Sequence, residues 1–301
     1  MKALVTGASG FVGRHLIAAL ASRGVEVVGT YHPEQAAPVG GATWVAWSLS
    51  DALTAILREH RPEHVYHLAS PAHVPSAEAD PAATKDAIVG ASVRLCEAVR
   101  ASGHVCRVLF ASSAEVYARR DDGQPIDEDA PVAPVNTYGV CKLEAERRLL
   151  TDLPEIATIV RPFNQIGPGQ SPLFAVASFA QQIARIGRGE AEPVLRVGNL
   201  DVERDFSDIR DTALAHVLAL ERGAAGRVYN IASGTPTSLR ALVDAMIAKA
   251  GVAIRIEVDP ARVRAGDTPR ILGDATRLRR ETGWEPRSTA LRAAIDALAG
   301  S

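Results

Sequence analysis

Residues 2–20 read KALVTGASGFVGRHLIAAL: an apolar run, then Gly7, Gly10 and Gly13 at GxxGxxG spacing, then apolar residues that return every three or four positions. The run has the composition of a strand buried on both faces, and the periodic part that of a helix packed along one side. Glycine at the strand end permits a tight turn and close approach by a pyrophosphate. The last glycine lets helix and sheet pack closely, and the amides of the helix N-terminus then face the phosphates. Strand, glycine turn and helix in that order predict a dinucleotide-binding unit in which Gly7, Ser9, Gly10, Phe11, Val12 and Gly13 lie against the cofactor.

Outward from this unit the alternation repeats. VEVVGTY (25–31), a helix ending near His60, HVYHLAS (64–70), a helix over 87–101, RVLFASS (107–113), a helix over 138–150 and ATIVRP (157–162) follow one another. Short two-faced apolar strands separated by helical lengths predict an α/β fold with a doubly wound parallel sheet. Leu68 and Ala69, at the end of the third of these strands, complete the expected cofactor contacts. Beyond Phe163 the pattern changes to the turn-rich NQIGPGQSPLF (164–174), a helix over 175–188 and the strand-like EPVLRVG (192–198), before a return helix at 209–221 and RVYNIAS (227–233). The expected division is a dinucleotide core of 1–165 plus about 205–235, and a smaller C-terminal substrate lobe of about 166–204 plus 236–301. The ligand cleft falls between them. RRDDGQPIDEDAPVAP (119–134) reads as an exposed loop.

The chain has 301 residues and a net charge of -2, with basic residues scattered rather than massed. That gives no electrostatic reason to expect nucleic acid or a membrane as partner. No signal peptide precedes the first strand, and no apolar run reaches bilayer length. Cys96, Cys106 and Cys141 form neither a metal spacing nor a disulfide framework, so no metal is expected and the cytoplasm is the expected compartment. At the end of the second strand, VVGTYHPE (27–34) puts Thr30, Tyr31 and His32 where a carboxylate would select an unphosphorylated ribose. His32 can face a 2'-phosphate or sit on the surface, and the expected cofactor is NADPH, with NADH tolerated.

NTYGVCKLEAE (136–146) carries the chemistry. Tyr138 and Lys142 are four apart and share a helix face, so the ammonium can favour tyrosinate and hold a nicotinamide ribose hydroxyl. Tyr138 can then give a proton to a carbonyl oxygen whose carbon receives hydride, while Ser113, at a strand end, orients that oxygen. The plainer reading is a helix-surface pair and a strand-end serine.

Eight stretches together carry a resemblance: TGASGFVGRHL (6–16), VYHLAS (65–70), SSAEVY (112–117), TYGVCK (137–142), RPFNQIGPGQ (161–170), FAQQIARIGRG (179–189), VGNLDVERDFSDIRD (197–211) and GRVYNIASG (226–234). The chain resembles the extended short-chain dehydrogenases/reductases of the nucleotide-sugar class. Its run from 161 to 211 is similar to the reductases of a GDP-linked 4-keto-6-deoxy sugar. The resemblance implies a Rossmann fold, NADPH or NADH as cofactor, and Ser113, Tyr138 and Lys142 as the catalytic triad. It places Asn164 behind the sugar and Arg204 and Arg264 on the diphosphate, with Arg185 as a weaker candidate and Glu115 near the sugar hydroxyls. It also implies a homodimer formed through the helices around 91–101 and 142–150. A dTDP-linked 4-keto sugar would need much the same groups, a 4-epimerase would use the same triad in both directions, and a silent nucleotide-sugar sensor would keep the fold alone. Related 4,6-dehydratases carry a carboxylate pair after the catalytic hydroxyl. Here Ala114 precedes Glu115, so elimination lacks its acid. Three further departures are Ala87 for an asparagine, Cys141 for a serine and the absence of an acid directly after the third strand in VAWSLSD (45–51).

Overall fold

The computed structural model describes residues 1–120, 122–263 and 266–300. Its first part runs β1 (Lys2–Thr6), α1 (Phe11–Ala21), β2 (Glu26–Tyr31), β3 (Thr43–Ala46), α2 (Thr54–His60) and β4 (His64–His67). Next come α3 (Val74–Ala79), α4 (Pro81–Lys85), a π-helical turn at Asp86–Gly90, α5 (Ala91–Ser102), β5 (Arg107–Ala111), α6 (Thr137–Asp152) and β6 (Ala157–Pro162). The remainder is β7 (Asn164–Ile166), α7 (Ala175–Gly187), β8 (Val194–Val197), β9 (Glu203–Asp208), α8 (Ile209–Arg222), β10 (Val228–Ile231), β11 (Pro236–Ser238), α9 (Leu239–Ala250), β12 (Arg255–Val258), β13 (Arg270–Ile271), α10 (Thr276–Thr282) and α11 (Ala290–Ala299).

Seven strands form one sheet in the order β3-β2-β1-β4-β5-β6-β10, every neighbouring pair parallel. Helices cover both faces, as parallel strands with apolar residues on both sides require. On one face Leu16, Leu20 and Leu220 pack with Tyr66, Leu109 and Trp284. On the other, Leu57, Leu95 and Leu149 pack with Val65 and Phe110. This is a doubly wound α/β fold of the Rossmann type. Strand order reverses at β1, between β2 and β4, and opens a crevice at the carboxyl ends of the strands. No helix of the described residues is long and apolar enough to cross a membrane.

A smaller sheet is built on β9, which pairs parallel with β7 and β13 and antiparallel with β11. Around it, Phe179 of α7, Leu242 and Met246 of α9 and Ala294 of α11 share a third apolar cluster. The strand expected at 192–198 forms as β8, but it pairs with β12 in a separate two-stranded ribbon. The polar sequence of β9, ERDFSD, does not read as a strand. Its buried Asp205 is satisfied by the Ser233 amide at 2.7 Å, the Ser233 hydroxyl at 2.8 Å and the Gly234 amide at 2.9 Å. The sequence division put all of 236–301 in the lobe, whereas α10 and Trp284 pack on the core, with the indole N–H donating to the Asp211 carbonyl at 3.0 Å.

Candidate active site

The glycine turn draws three strand ends together. Gly7 has φ 69°, and a Cβ on it would stand 2.8 Å from the Ala69 amide nitrogen. Its own N–H reaches the Thr30 hydroxyl of β2 at 3.2 Å. The Thr6 hydroxyl accepts from the Ala69 amide at 3.3 Å and pairs with His67 Nδ1 at 2.8 Å, and the Leu68 amide donates to the Thr6 carbonyl at 3.3 Å. Gly10 folds back onto the Gly7 carbonyl at 3.0 Å and immediately precedes α1, whose first turn carries no acidic residue. Phe11 and Val12 are half-buried at the start of that helix, while Ser9 lies beside it with its hydroxyl 3.4 Å from Gln35 Oε1. A cradle that a methyl group would obstruct, at a helix N-terminus without a competing carboxylate, suits a pyrophosphate. His32 is exposed beyond β2, its Nδ1 accepting from the Glu34 amide at 3.3 Å.

The second element is the start of α6. Asn136 caps it, accepting from the Gly139 amide at 2.7 Å and donating through Nδ2 to Glu115 Oε2 at 2.6 Å. Glu78 of α3 accepts from the Thr137 amide at 2.6 Å and the Thr137 hydroxyl at 3.0 Å. Such capping fixes the first turn, and with it the direction of Tyr138. Glu115 is exposed and committed to that cap, and its own amide donates to Ser113 Oγ at 3.2 Å.

Tyr138 and Lys142 are both buried, at 7% and 2% exposure. Lys142 Nζ donates to the Ala111 carbonyl at 2.7 Å and the Ser70 hydroxyl at 2.9 Å, and lies 4.8 Å from the Phe110 ring centre and 5.6 Å from that of Tyr138. Burial pushes the Tyr138 phenol well above its ordinary value, with the Ser113 hydroxyl pulling the other way and the Glu115 charge adding to the rise. Burial also brings Lys142 down to about 7, against the opposing pull of Glu146. His67, below the lysine, is held at about 3 by burial and by the Lys142 charge. The site therefore presents at neutral pH a phenol that keeps its proton, an adjoining amine poised near its own titration point, and a neutral imidazole.

In the smaller lobe, Arg204 of β9 donates to the Glu203 and Thr268 carbonyls, each at 2.8 Å, and meets Asp267 Oδ1 at 2.5 Å. Asn164 Nδ2 donates to the Asp205 carbonyl at 3.2 Å. Arg185 is exposed near the end of α7, and Arg264 lies outside the described residues. Ala87 sits in the π-helical turn before α5. Cys141 is buried on α6 with its thiol pushed up by burial, the state of a packed rather than a reactive cysteine. Sequence reading missed Ser70, Glu146, Arg161 and Asp267. Glu146 had a signal, since it lies one helical turn beyond Lys142. Asp267 had none, because its contact with Arg204 depends on a long-range strand pairing.

The sequence profile of the NAD dependent epimerase/dehydratase family matches residues 3–232. GDP-6-deoxy-D-mannose reductase of Pseudomonas aeruginosa is 38% identical over 294 residues, which is 96% of this chain and 93% of that protein. The structure of RMD from Pseudomonas aeruginosa complexed with NADPH matches with a TM-score of 0.83 and 33% identity, covering 99% of this chain and 98% of that one. UDP-glucose 4-epimerase of Thermotoga maritima with UDP-glucose matches with a TM-score of 0.89 and 28% identity, covering 100% and 98%. Backbone shape does not separate these two relatives, since reduction and epimerisation share a scaffold. Sequence identity lies on the side of the reductase.

Proposed function

Because the chain belongs to the NAD dependent epimerase/dehydratase family, we propose that it is an NAD(P)H-dependent 4-ketoreductase. Its substrate is GDP-4-keto-6-deoxy-D-mannose, and its product is GDP-D-rhamnose or the C4 epimer, GDP-6-deoxy-D-talose. The observation that carries this reading is the 38% identity, over nearly the full length of both chains, to a reductase of that name. The buried Tyr138–Lys142 pair supplies the chemistry it requires.

Once bound, the reduced dinucleotide supplies the hydride for C4. The backbone from Gly7 to Gly13 and the N-terminus of α1 hold its pyrophosphate, flanked by Ser9, Phe11, Val12, Leu68 and Ala69. Tyr138, kept protonated by burial, gives its proton to the new alkoxide, and Ser113 orients the oxygen that receives it. Lys142, fixed by Ser70 and the Ala111 carbonyl, holds a ribose hydroxyl and stabilises the phenolate left behind. Arg204 holds the diphosphate in register, with Arg185 and Arg264 as further candidates for it, and Asn164 and Glu115 face the sugar. With Ala114 in place of a carboxylic acid, the site lacks the donor that elimination of a hydroxyl needs. A homodimer through α5 and α6 and a cytoplasmic location belong to the same proposal.

NADPH consumption on freshly generated GDP-4-keto-6-deoxy-D-mannose, with NMR identification of the product, tests the reading. We expect turnover, and the C4 configuration follows from the spectrum. Turnover on the dTDP-linked 4-keto sugar alone would move the protein to the reductases of that nucleotide. A C4 epimerase is the second alternative, because the chain shares its backbone scaffold with UDP-glucose 4-epimerase of Thermotoga maritima. Interconversion of C4 epimers without net NADPH consumption would establish it.

A further inference from the structure

The face of α6 that carries Tyr138 and Lys142 bears a third polar residue one turn further on. Glu146 is 2% exposed. Its carboxylate accepts from Arg161 of β6 through Nε at 2.9 Å and NH2 at 2.6 Å, and also from the Ser112 hydroxyl. Arg161 is buried as well, its guanidinium 4.8 Å from the Tyr117 ring centre. Ser112 stands between Ala111, whose carbonyl receives Lys142, and Ser113, which orients the substrate oxygen. One carboxylate thus ties the reacting helix to the end of the strand that carries two partners of the reaction.

Stability alone is a weak reason for such an arrangement. Two charges lose their hydration on burial, and packed apolar residues of similar volume commonly do as well or better. The position of this pair points to a role at the site. Lys142 is faced by Tyr138 and Glu146 from its own helix, by Ser70 and the neutral His67 at the end of β4, and by Phe110 and the Ala111 carbonyl from β5. Arg161 engages both carboxylate oxygens of Glu146, and the exposed Glu115 acts on Tyr138. Among these described groups Glu146 is the anion that opposes the loss of the lysine's charge.

We propose that Glu146 is a positioning residue for the reacting pair: through Ser112 it tethers the end of β5 to α6, and it sets a negative charge one turn from Lys142 on the helix that carries the pair. The consequence for turnover rests on the reductase reading, whereas the tether and the charge are properties of the free protein. Testing can therefore proceed without a substrate.

The chain contains four lysines, Lys2, Lys85, Lys142 and Lys249. NMR titration of protein labelled with carbon-13 at lysine Cε follows Lys142, whose midpoint should lie near the value of about 7 to which burial brings it. In Glu146→Gln, which keeps the shape and removes the charge, its midpoint should fall by about one pH unit. In Ser112→Ala the midpoint should stay, while hydrogen exchange of the 112–116 backbone accelerates about tenfold. An unchanged Lys142 midpoint in a folded Glu146→Gln variant overturns the electrostatic role, and unchanged exchange in Ser112→Ala overturns the tether. Should Glu146→Gln fail to fold because Arg161 is left unpaired, the double variant Glu146→Met, Arg161→Met removes both charges. Its 112–116 backbone must then exchange faster, as in Ser112→Ala, because the Ser112 hydroxyl has lost its acceptor, and unchanged exchange rejects the proposal. Failure of the wild-type protein to reduce either keto sugar would defeat the function proposed above and leave this titration unaffected.

Discussion

The two sides of the cleft are prepared for their ligands in different ways. At the dinucleotide side the backbone amides after Gly7 open onto a helix start without a carboxylate, and Lys142 is held by a carbonyl and a hydroxyl. Nothing anionic has to leave before a phosphate arrives. In the smaller lobe, where we propose that the nucleotide sugar binds, three arginines already have anionic partners: Arg204 meets Asp267, Arg270 meets Glu203 at 2.5 Å and Arg240 meets Asp201 at 3.8 Å. A diphosphate there gains only the difference between itself and a carboxylate. Preorganisation on one side and exchange on the other imply that damage to the first should cost more than damage to the second.

The largest expected effect is at Tyr138. Tyr138→Phe removes the proton donor and leaves the ring, so kcat for ketone reduction should fall about 10³-fold with NADPH affinity and Tm nearly unchanged. A loss smaller than tenfold, by steady-state kinetics, would place the donor elsewhere. Acid should also strike the core first. His216, buried in α8 with Nδ1 donating to the Thr212 carbonyl at 2.7 Å, is held at about 4, and His67 at about 3. Both folded values lie below the ordinary histidine value. Their stability contribution is therefore complete above about pH 6.5 and is lost as pH falls toward the folded values, roughly 3 kcal/mol for His216 by pH 4. Urea unfolding as a function of pH should show this slope, and His216→Leu should flatten it while leaving turnover intact.

Gly7→Ala tests the cradle itself. The added methyl meets the Ala69 backbone at a positive φ, so NADPH affinity by fluorescence titration should fall at least about tenfold. Unchanged affinity would mean that the turn yields, and the contrast between the two sides would weaken. Arg204→Ala is the counterpart across the cleft. The KM for the nucleotide sugar should rise about tenfold with NADPH affinity unchanged, and Arg204→Lys should not restore it, because an ammonium lacks the fork that engages a diphosphate. A KM that does not move would remove Arg204 from the diphosphate site.

The same division governs what the sequence reveals. Gly7, Gly10 and Gly13 constrain a turn within seven residues, and Tyr138 and Lys142 share a helix face by periodicity alone, so both are legible as local patterns. The strand β9 is not, because ERDFSD has no apolar alternation and is made a strand by partners at 164–166, 236–238 and 270–271. Trp284 likewise reads as one more residue of the C-terminal segment until its indole is found buried against α8. Glu146 falls between these cases: its spacing from Lys142 is visible, but its meaning depends on Arg161 and Ser112, which arrive from other strands.

Asp267 offers the smallest and sharpest test. Its side chain is 25% exposed, so solvent screens its pairing with Arg204 and the pair is worth no more than about 1 kcal/mol. Asp267→Asn removes the competing charge but leaves the guanidinium oriented by the carbonyls of Glu203 and Thr268. If the carboxylate is chiefly a competitor that the diphosphate must displace, the KM for the nucleotide sugar should fall by about two- to threefold while kcat and NADPH affinity stay constant. A rise in KM would show that Asp267 orients Arg204 rather than competes for it, and the sugar side would then be as preorganised as the dinucleotide side.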